Sequence, residues 1–92
     1  MKEKENKDTT TFMIGKLSCE IREPNFKELQ LGLSAFTTTT GNMDMVGGGK
    51  IIFDLCCVSC DEDMKKPKNL MSLCIELAKE YLVPVDVIIK KK

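Results

Sequence analysis

The spacing of apolar side chains changes along this 92-residue chain, and this change constrains the fold more than any other feature. Near the N-terminus apolar residues recur at every second position, which is typical of a half-buried β-strand. After residue 25 they recur at every third or fourth position, which is typical of amphipathic helices. We therefore predict one small α+β domain over residues 10–92, preceded by a disordered, charged arm at residues 1–9.

Residues 10–22 are predicted to form a β-hairpin. A first pair of apolar residues, Phe12 and Ile14, precedes Gly15, and a second set follows it in the opposite phase: Leu17, Cys19 and Ile21. A tight turn at Gly15 explains this shift of phase, and one bent strand with a bulge is the alternative.

Three helices are predicted to follow. The first spans residues 25–37, where Asn25 and Glu28 have the spacing of a capping box, and a flexible connection follows it. The second falls within residues 43–58 and starts at or after the glycines at 47–49, with a buried strand as the alternative. The third spans residues 67–82, because an apolar stripe runs along it and Pro84 ends it.

The predicted fold class is thus α+β, with an N-terminal β-hairpin packed on about three α-helices and a short extended C-terminal strand. That strand is predicted from the alternation of Val85, Val87 and Ile89, and it could join the hairpin. The predicted core is Phe12, Ile14, Leu17, Ile21, Leu29, Leu33, Phe36, Ile52, Leu55, Leu70, Leu73, Leu77 and Tyr81.

Composition excludes several kinds of function. The chain has no histidine, which removes the commonest general base and the commonest metal ligand. Fourteen basic and fourteen acidic residues cancel, so no global positive field attracts nucleic acid or an anionic membrane. No apolar run is long enough for a membrane span or a signal peptide. We expect a cytoplasmic protein that is not an enzyme and binds no cofactor.

The clearest candidate for a metal site is the C-x-x-C pair of Cys57 and Cys60, a spacing that lets two thiolates bind one ion. Without histidine, further ligands could come only from Cys19 and Cys74, or from Cys56. These three lie on predicted apolar faces, where a free cysteine packs as a small hydrophobic residue. The sequence therefore favours five reduced structural cysteines, with Cys57 and Cys60 as weak metal candidates.

Two other motifs favour structural interpretations. The glycines at 47–49 precede Lys50, but Asp44 and Ile51 stand where a phosphate-binding loop needs glycine and a hydroxyl residue. A flexible joint or a close helix crossing explains the glycines better. The acidic residues at 61–63, with Asp54 upstream, lack the ligand spacing of a calcium loop and read as a solvated loop.

The order of these features resembles the small tail assembly chaperones of long-tailed bacteriophages and prophages. The resemblance covers about residues 11–89 and rests on two short motifs. The first is the step Arg22, Glu23 and Pro24 between strand and helix, and the second is the apolar run from Gly48 to Cys56.

This resemblance implies a non-enzymatic helper that binds the tape-measure protein and helps recruit tail-tube subunits, and it leaves homo-oligomerisation open. It also implies a frameshifted longer form, for which the consecutive lysine codons at 90–92 could form an A-rich slippery site. The methionines 43, 45, 64 and 71 could supply adaptable contacts or simply fill the core. The alternatives are a small phage structural protein, such as a connector or minor tail protein, and a cysteine-ligated metal-binding regulatory module.

Overall fold

The computed structural model describes residues 9–37 and 43–91. Within them it contains a three-stranded antiparallel sheet and three α-helices, which confirms the α+β class. The strands are β1 (Thr9–Ile14), β2 (Leu17–Arg22) and β3 (Cys57–Cys60); the helices are α1 (Phe26–Phe36), α2 (Met45–Cys56) and α3 (Pro67–Tyr81), and a 3-10 helix spans Glu62–Lys65. Of the arm predicted at 1–9, Thr9 belongs to β1, whereas residues 1–8 and the connection at 38–42 lie outside the described residues.

The N-terminal hairpin is confirmed, and the alternative of one bent strand is wrong. Strands β1 and β2 pair in antiparallel register from Thr9 with Arg22 to Ile14 with Leu17. Gly15 has a φ of 59°, and no other described residue has a positive φ. A positive φ at the first central residue alone is the geometry of a type II′ turn, in which glycine is favoured.

Helix α1 begins as the sequence predicts. The Asn25 side chain accepts a hydrogen bond from the Glu28 backbone, and the Glu28 carboxylate accepts one from the Asn25 backbone. This reciprocal pair is the capping box, which satisfies backbone donors that a helix start leaves free.

The segment at 43–58 is a helix followed by a strand. Helix α2 is confirmed over Met45–Cys56, whereas its last predicted residues, Cys57 and Val58, belong to β3. The prediction that the helix starts at or after the glycines is wrong: Asp44 caps it through the Gly47 backbone, and the glycines lie inside its first turns.

Close helix packing explains why glycines occur inside α2. A Cβ on Gly48 would lie 2.8 Å from Cβ of Phe36, on α1. A Cβ on Gly49 would overlap the carbonyl group of Cys74, on α3. Helix α2 therefore lies between α1 and α3, and its glycines allow both neighbours to approach it.

The predicted C-terminal strand is wrong. Residues 84–91 form no strand, and the third strand of the sheet is β3, which pairs with β2. Helix α2 ends next to β2, so the residues directly after the helix pair with the edge of β2 that faces away from β1. Helix α3 is confirmed, with Pro67 in its first turn.

The core lies where the helices meet the inner face of the sheet. Its buried residues are Cys19, Ile21, Phe36, Ile52, Phe53, Cys56, Met64, Leu73, Leu77, Ala78 and Leu82. Six further predicted core residues are half-buried against it: Phe12, Ile14, Leu17, Leu29, Leu70 and Tyr81.

Two predicted core residues, Leu33 and Leu55, are exposed by 43% and 41%, so their assignment to the core is wrong. Helix α1 faces α2 through Gly32, whose position lies against Ile52, and this turns Leu33 toward solvent. The buried face of helix α2 is centred on Gly49, Ile52 and Cys56, and Leu55 lies at the border of that face, where it stays partly exposed.

Candidate functional site

A β-bulge brings three cysteines to the inner face of the sheet. Cys19 pairs with Cys60 across β2 and β3, but Ile21 pairs with Cys57, so β3 carries one extra residue between these pairs. In a regular strand, residues three apart point to opposite faces. The extra residue reverses this parity, so that Cys57 and Cys60 share the face on which Cys19 and Ile21 are buried.

The three sulfur atoms form a compact cluster. The Sγ atoms of Cys19 and Cys57 are 3.9 Å apart, and all three Sγ atoms lie within 4.8 Å of one another. Cys19 is fully buried, whereas Cys57 and Cys60 are half-buried. Of the partners that the sequence offered to the C-x-x-C pair, Cys19 is the one that the fold supplies.

Burial favours the protonated form of Cys19 and Cys57. It raises the pKa of Cys19 far above its ordinary value, and the neighbouring sulfurs of Cys60 and Cys57 raise it further. Burial also raises the pKa of Cys57. The hydrogen bond with Cys19 and the positive charge of Lys65 lower this pKa and so oppose part of the effect. The protonated thiols of Cys19 and Cys57 are poor nucleophiles, because the thiolate is the reactive form.

Hydrogen bonds between Ser18 and Asp61 fix the backbone next to the cluster. The Ser18 amide donates to the Asp61 carboxylate at 2.8 Å, and the Asp61 amide donates to the Ser18 carbonyl at 3.0 Å. This reciprocal pair continues the pairing of Cys19 with Cys60 by one residue. It fixes the end of β3 against the start of β2.

The other two cysteines lie elsewhere. Cys56 donates a hydrogen bond to Glu28 at 3.6 Å, and burial, followed by the charge of Glu28, raises its pKa to about 11. Cys74 is buried on α3 beneath α2, next to Gly49, and burial raises its pKa. Both pack as structural residues, as the sequence predicts.

The remaining candidate motifs do not form sites. Residues 47–49 lie in a helix with neighbours packed on them, and Lys50 forms an ion pair with Asp54 at 3.0 Å. Asp54 is thus engaged within α2, apart from the acidic residues at 61–63. In the described ranges, the three-cysteine cluster is the one group of three potential ligands close enough to hold an ion.

A second surface of interest is the C-terminal segment beyond α3. Its large side chains are exposed: Val83, Val85, Val87, Ile88 and Ile89. Of the four methionines considered for contacts, Met43 and Met71 are exposed, Met45 is half-buried and Met64 lies in the core.

Beside β1 lies a groove of about 450 Å³ between the strand and α3. The groove is lined by Thr11, Phe12, Met13, Ile14, Ser72, Leu73 and Glu76. Within the described residues, β1 has β2 as its single strand neighbour, so β1 is an edge strand, and its residues 11–14 line this groove.

Comparisons with known proteins give no guide: no family model, curated protein or solved structure matches the chain. No helix within residues 9–37 and 43–91 has the length and apolar character that a membrane crossing requires.

Proposed function

We propose that this chain is a non-enzymatic tail assembly chaperone of a long-tailed bacteriophage or prophage. It works in the host cytoplasm, where it binds the tape-measure protein and helps recruit tail-tube subunits. The observation that carries the proposal is the exposed apolar segment after α3, in which Val85, Val87 and Ile88 are 82%, 79% and 80% exposed. A contiguous exposed apolar surface is typical of a region that binds another protein.

The two motifs of the resemblance have structural roles that support it. Arg22 ends β2 and donates hydrogen bonds to Glu28 on α1 and to the carbonyl of Leu55 on α2. Pro24 is buried directly before Asn25, the residue that caps α1. The glycines that begin the second motif set the packing of α2 against its neighbours. The residues of each motif therefore fix how neighbouring elements pack together. We expect this of residues that keep the same order of elements across a family.

The part of the edge strand β1 that lines the groove, residues 11–14, offers a second binding surface. An extended segment of another protein can add to such an edge through backbone hydrogen bonds, with side chains entering the adjacent groove. The groove beside β1 and the apolar segment after α3 are separate features. Two binding surfaces suit a chaperone that brings two kinds of tail protein together.

The proposal is tested by co-expression with the tape-measure protein encoded in the same genome. We expect the tape-measure protein to become more soluble and to co-purify with this chain. The double variant Val85→Asp, Val87→Asp should lose most of this effect, because charges would replace the apolar side chains that bind the partner.

Lys90→Asp is the matched control. It changes the net charge by the same amount as the double variant but leaves the apolar residues in place, so it should still bind. The free energy of unfolding of both variants should stay within about 0.5 kcal/mol of the original, because the changed residues are exposed. Equal binding by the double variant, or no binding by the unchanged protein, would contradict the proposal.

A further inference from the structure

We propose that Cys19, Cys57 and Cys60 form a metal site that binds one Zn²⁺ ion through three thiolates, with the fourth coordination position open. This inference is independent of the assembly function. It extends the C-x-x-C pair by the residue that the β-bulge places beside it.

The sulfur positions already fit the ion. A tetrahedral site with Zn–S bonds of about 2.3 Å separates its sulfurs by about 3.8 Å. The Sγ atoms of Cys19 and Cys57 are 3.9 Å apart, and Cys60 completes a triangle whose sides are all within 4.8 Å. The sulfur of Cys60 therefore lies at most about 1 Å beyond the tetrahedral separation from each of the other two.

The backbone places these ligands before an ion arrives. Cys19 and Cys60 lie opposite each other in the sheet, and the hydrogen bonds between Ser18 and Asp61 hold the adjacent pair. The bulge fixes Cys57 on the same face. Preorganised ligands lose little conformational freedom on binding, which favours affinity.

The donor set selects the kind of ion. Three sulfur ligands and no carboxylate favour a soft or borderline ion such as Zn²⁺ over Mg²⁺ or Ca²⁺. Binding converts three thiols to thiolates and releases three protons, so that the tris-thiolate zinc unit carries one negative charge. Lys65, whose positive charge acts on Cys57, partly balances it.

The fourth position is left to water or to a ligand from solution. In the described part of the chain no fourth cysteine, aspartate or glutamate joins the cluster. Cys57 and Cys60 are half-buried, so the ion would be reached from their side. Three protein ligands with one open position distinguish this arrangement from closed four-ligand structural sites.

The test is a titration of the reduced full chain with Co²⁺ under anaerobic conditions, followed by displacement with Zn²⁺. We expect thiolate-to-cobalt charge-transfer absorption that saturates at one ion per chain and disappears when Zn²⁺ is added. X-ray absorption at the zinc edge should then show three sulfur neighbours and one lighter atom.

Cys60→Ser and Cys57→Ser test the ligands, and Cys74→Ala is the control because it changes a buried cysteine outside the cluster. The first two should weaken zinc binding at least roughly 100-fold. Loss of a residue that only hydrogen-bonds to a metal ligand already lowers metal affinity by about 10–100-fold. Cys74→Ala should bind zinc as the unchanged protein does. Circular dichroism establishes that each variant is folded.

Three results would overturn the proposal. The first is a reduced, folded chain that binds no Co²⁺ or Zn²⁺ in stoichiometric amount. The second is a folded Cys60→Ser variant with unchanged affinity. The third is a zinc site with four sulfur neighbours, which would show that the fourth position is not open.

Discussion

At the scale of single residues, Gly49 shows how one missing side chain decides the packing of two helices. Glycine inside a helix costs about 1 kcal/mol relative to alanine, and α2 contains three in a row. The carbonyl group of Cys74 occupies the space that a Cβ on Gly49 would need. The close crossing of α2 and α3 thus accounts for a residue that local propensity disfavours.

Gly49→Ala should destabilise the protein by at least about 2 kcal/mol, because the overlap with backbone atoms exceeds the gain in helix propensity. Gly32→Ala is the control: its Cβ would lie 3.0 Å from Cδ1 of Ile52 and 3.1 Å from Cδ2 of Leu82, the ends of flexible side chains. We expect this control to be nearly neutral in urea denaturation. A Gly49→Ala variant of unchanged stability would contradict the close crossing.

The carboxylate of Glu28, on α1, contacts Arg22 at the end of β2 and Cys56 on α2. Arg22 donates two hydrogen bonds to it, at 3.0 and 2.8 Å, and the Asn25 amide donates a third. The Arg22 guanidinium is the main reason that the pKa of Glu28 falls from 4.5 to about 2, and the Asn25 amide adds to this effect.

This shift predicts a dependence of stability on pH. The unfolded chain takes up a proton at Glu28 near pH 4.5, whereas the folded protein does so only near pH 2. The stabilisation is therefore complete above pH 4.5 and is lost as the pH falls towards 2. Thermal melts should show Glu28→Gln as less stable at neutral pH but with a flatter profile over this range. Glu80→Gln, on the exposed face of α3, should follow the unchanged protein.

At the scale of elements, the sequence predicts best those segments whose signals are local. The hairpin, α1 and α3 each carry a turn glycine, a capping box or an uninterrupted apolar stripe, and the structure confirms all three. The start of α2 and the identity of the third strand depend on neighbours far along the chain. Val85, Val87 and Ile89 alternate like a strand, yet β3 pairs with the hairpin because it directly follows α2.

The capping box gives a prediction at this scale. Asn25→Ala should reduce the free energy of unfolding by about 1 kcal/mol, because α1 would lose the side-chain acceptor for its Glu28 amide. Asn25→Asp keeps an acceptor at the same position and should remain close to the unchanged protein. Urea denaturation measures both variants. Equal stability of Asn25→Ala and Asn25→Asp would show that the capping bond contributes nothing.

The cysteine cluster could be predicted only in part, also for an element-scale reason. The C-x-x-C spacing identifies Cys57 and Cys60, and the absence of histidine limits the remaining ligands to cysteine. Choosing Cys19 requires the register of β2 against β3, including a bulge that reverses side-chain parity. The residues at 57–60 contain no local sequence pattern that predicts this bulge.

At the scale of the whole molecule, the folded body and the segment after α3 behave differently. Leu82 is the last buried residue in the described part of the chain, and the side chains at 83–91 are exposed. Truncation after Pro84 should therefore change the free energy of unfolding by less than about 0.5 kcal/mol. Chemical denaturation checks this. A large loss of stability would show that the segment belongs to the folded domain and would remove the main support for its role in binding.

The proposed function requires that this chain assists tail assembly without becoming part of the tail. The most direct measurement is quantitative mass spectrometry of the chain in two samples from infected or induced host cells. The first sample is the set of complexes isolated through the tape-measure protein, and the second is purified virions. We predict that the chain is abundant in the complexes and absent from the virions. Its presence in virions at a fixed copy number, or its absence from the tape-measure complexes, would contradict the proposed function.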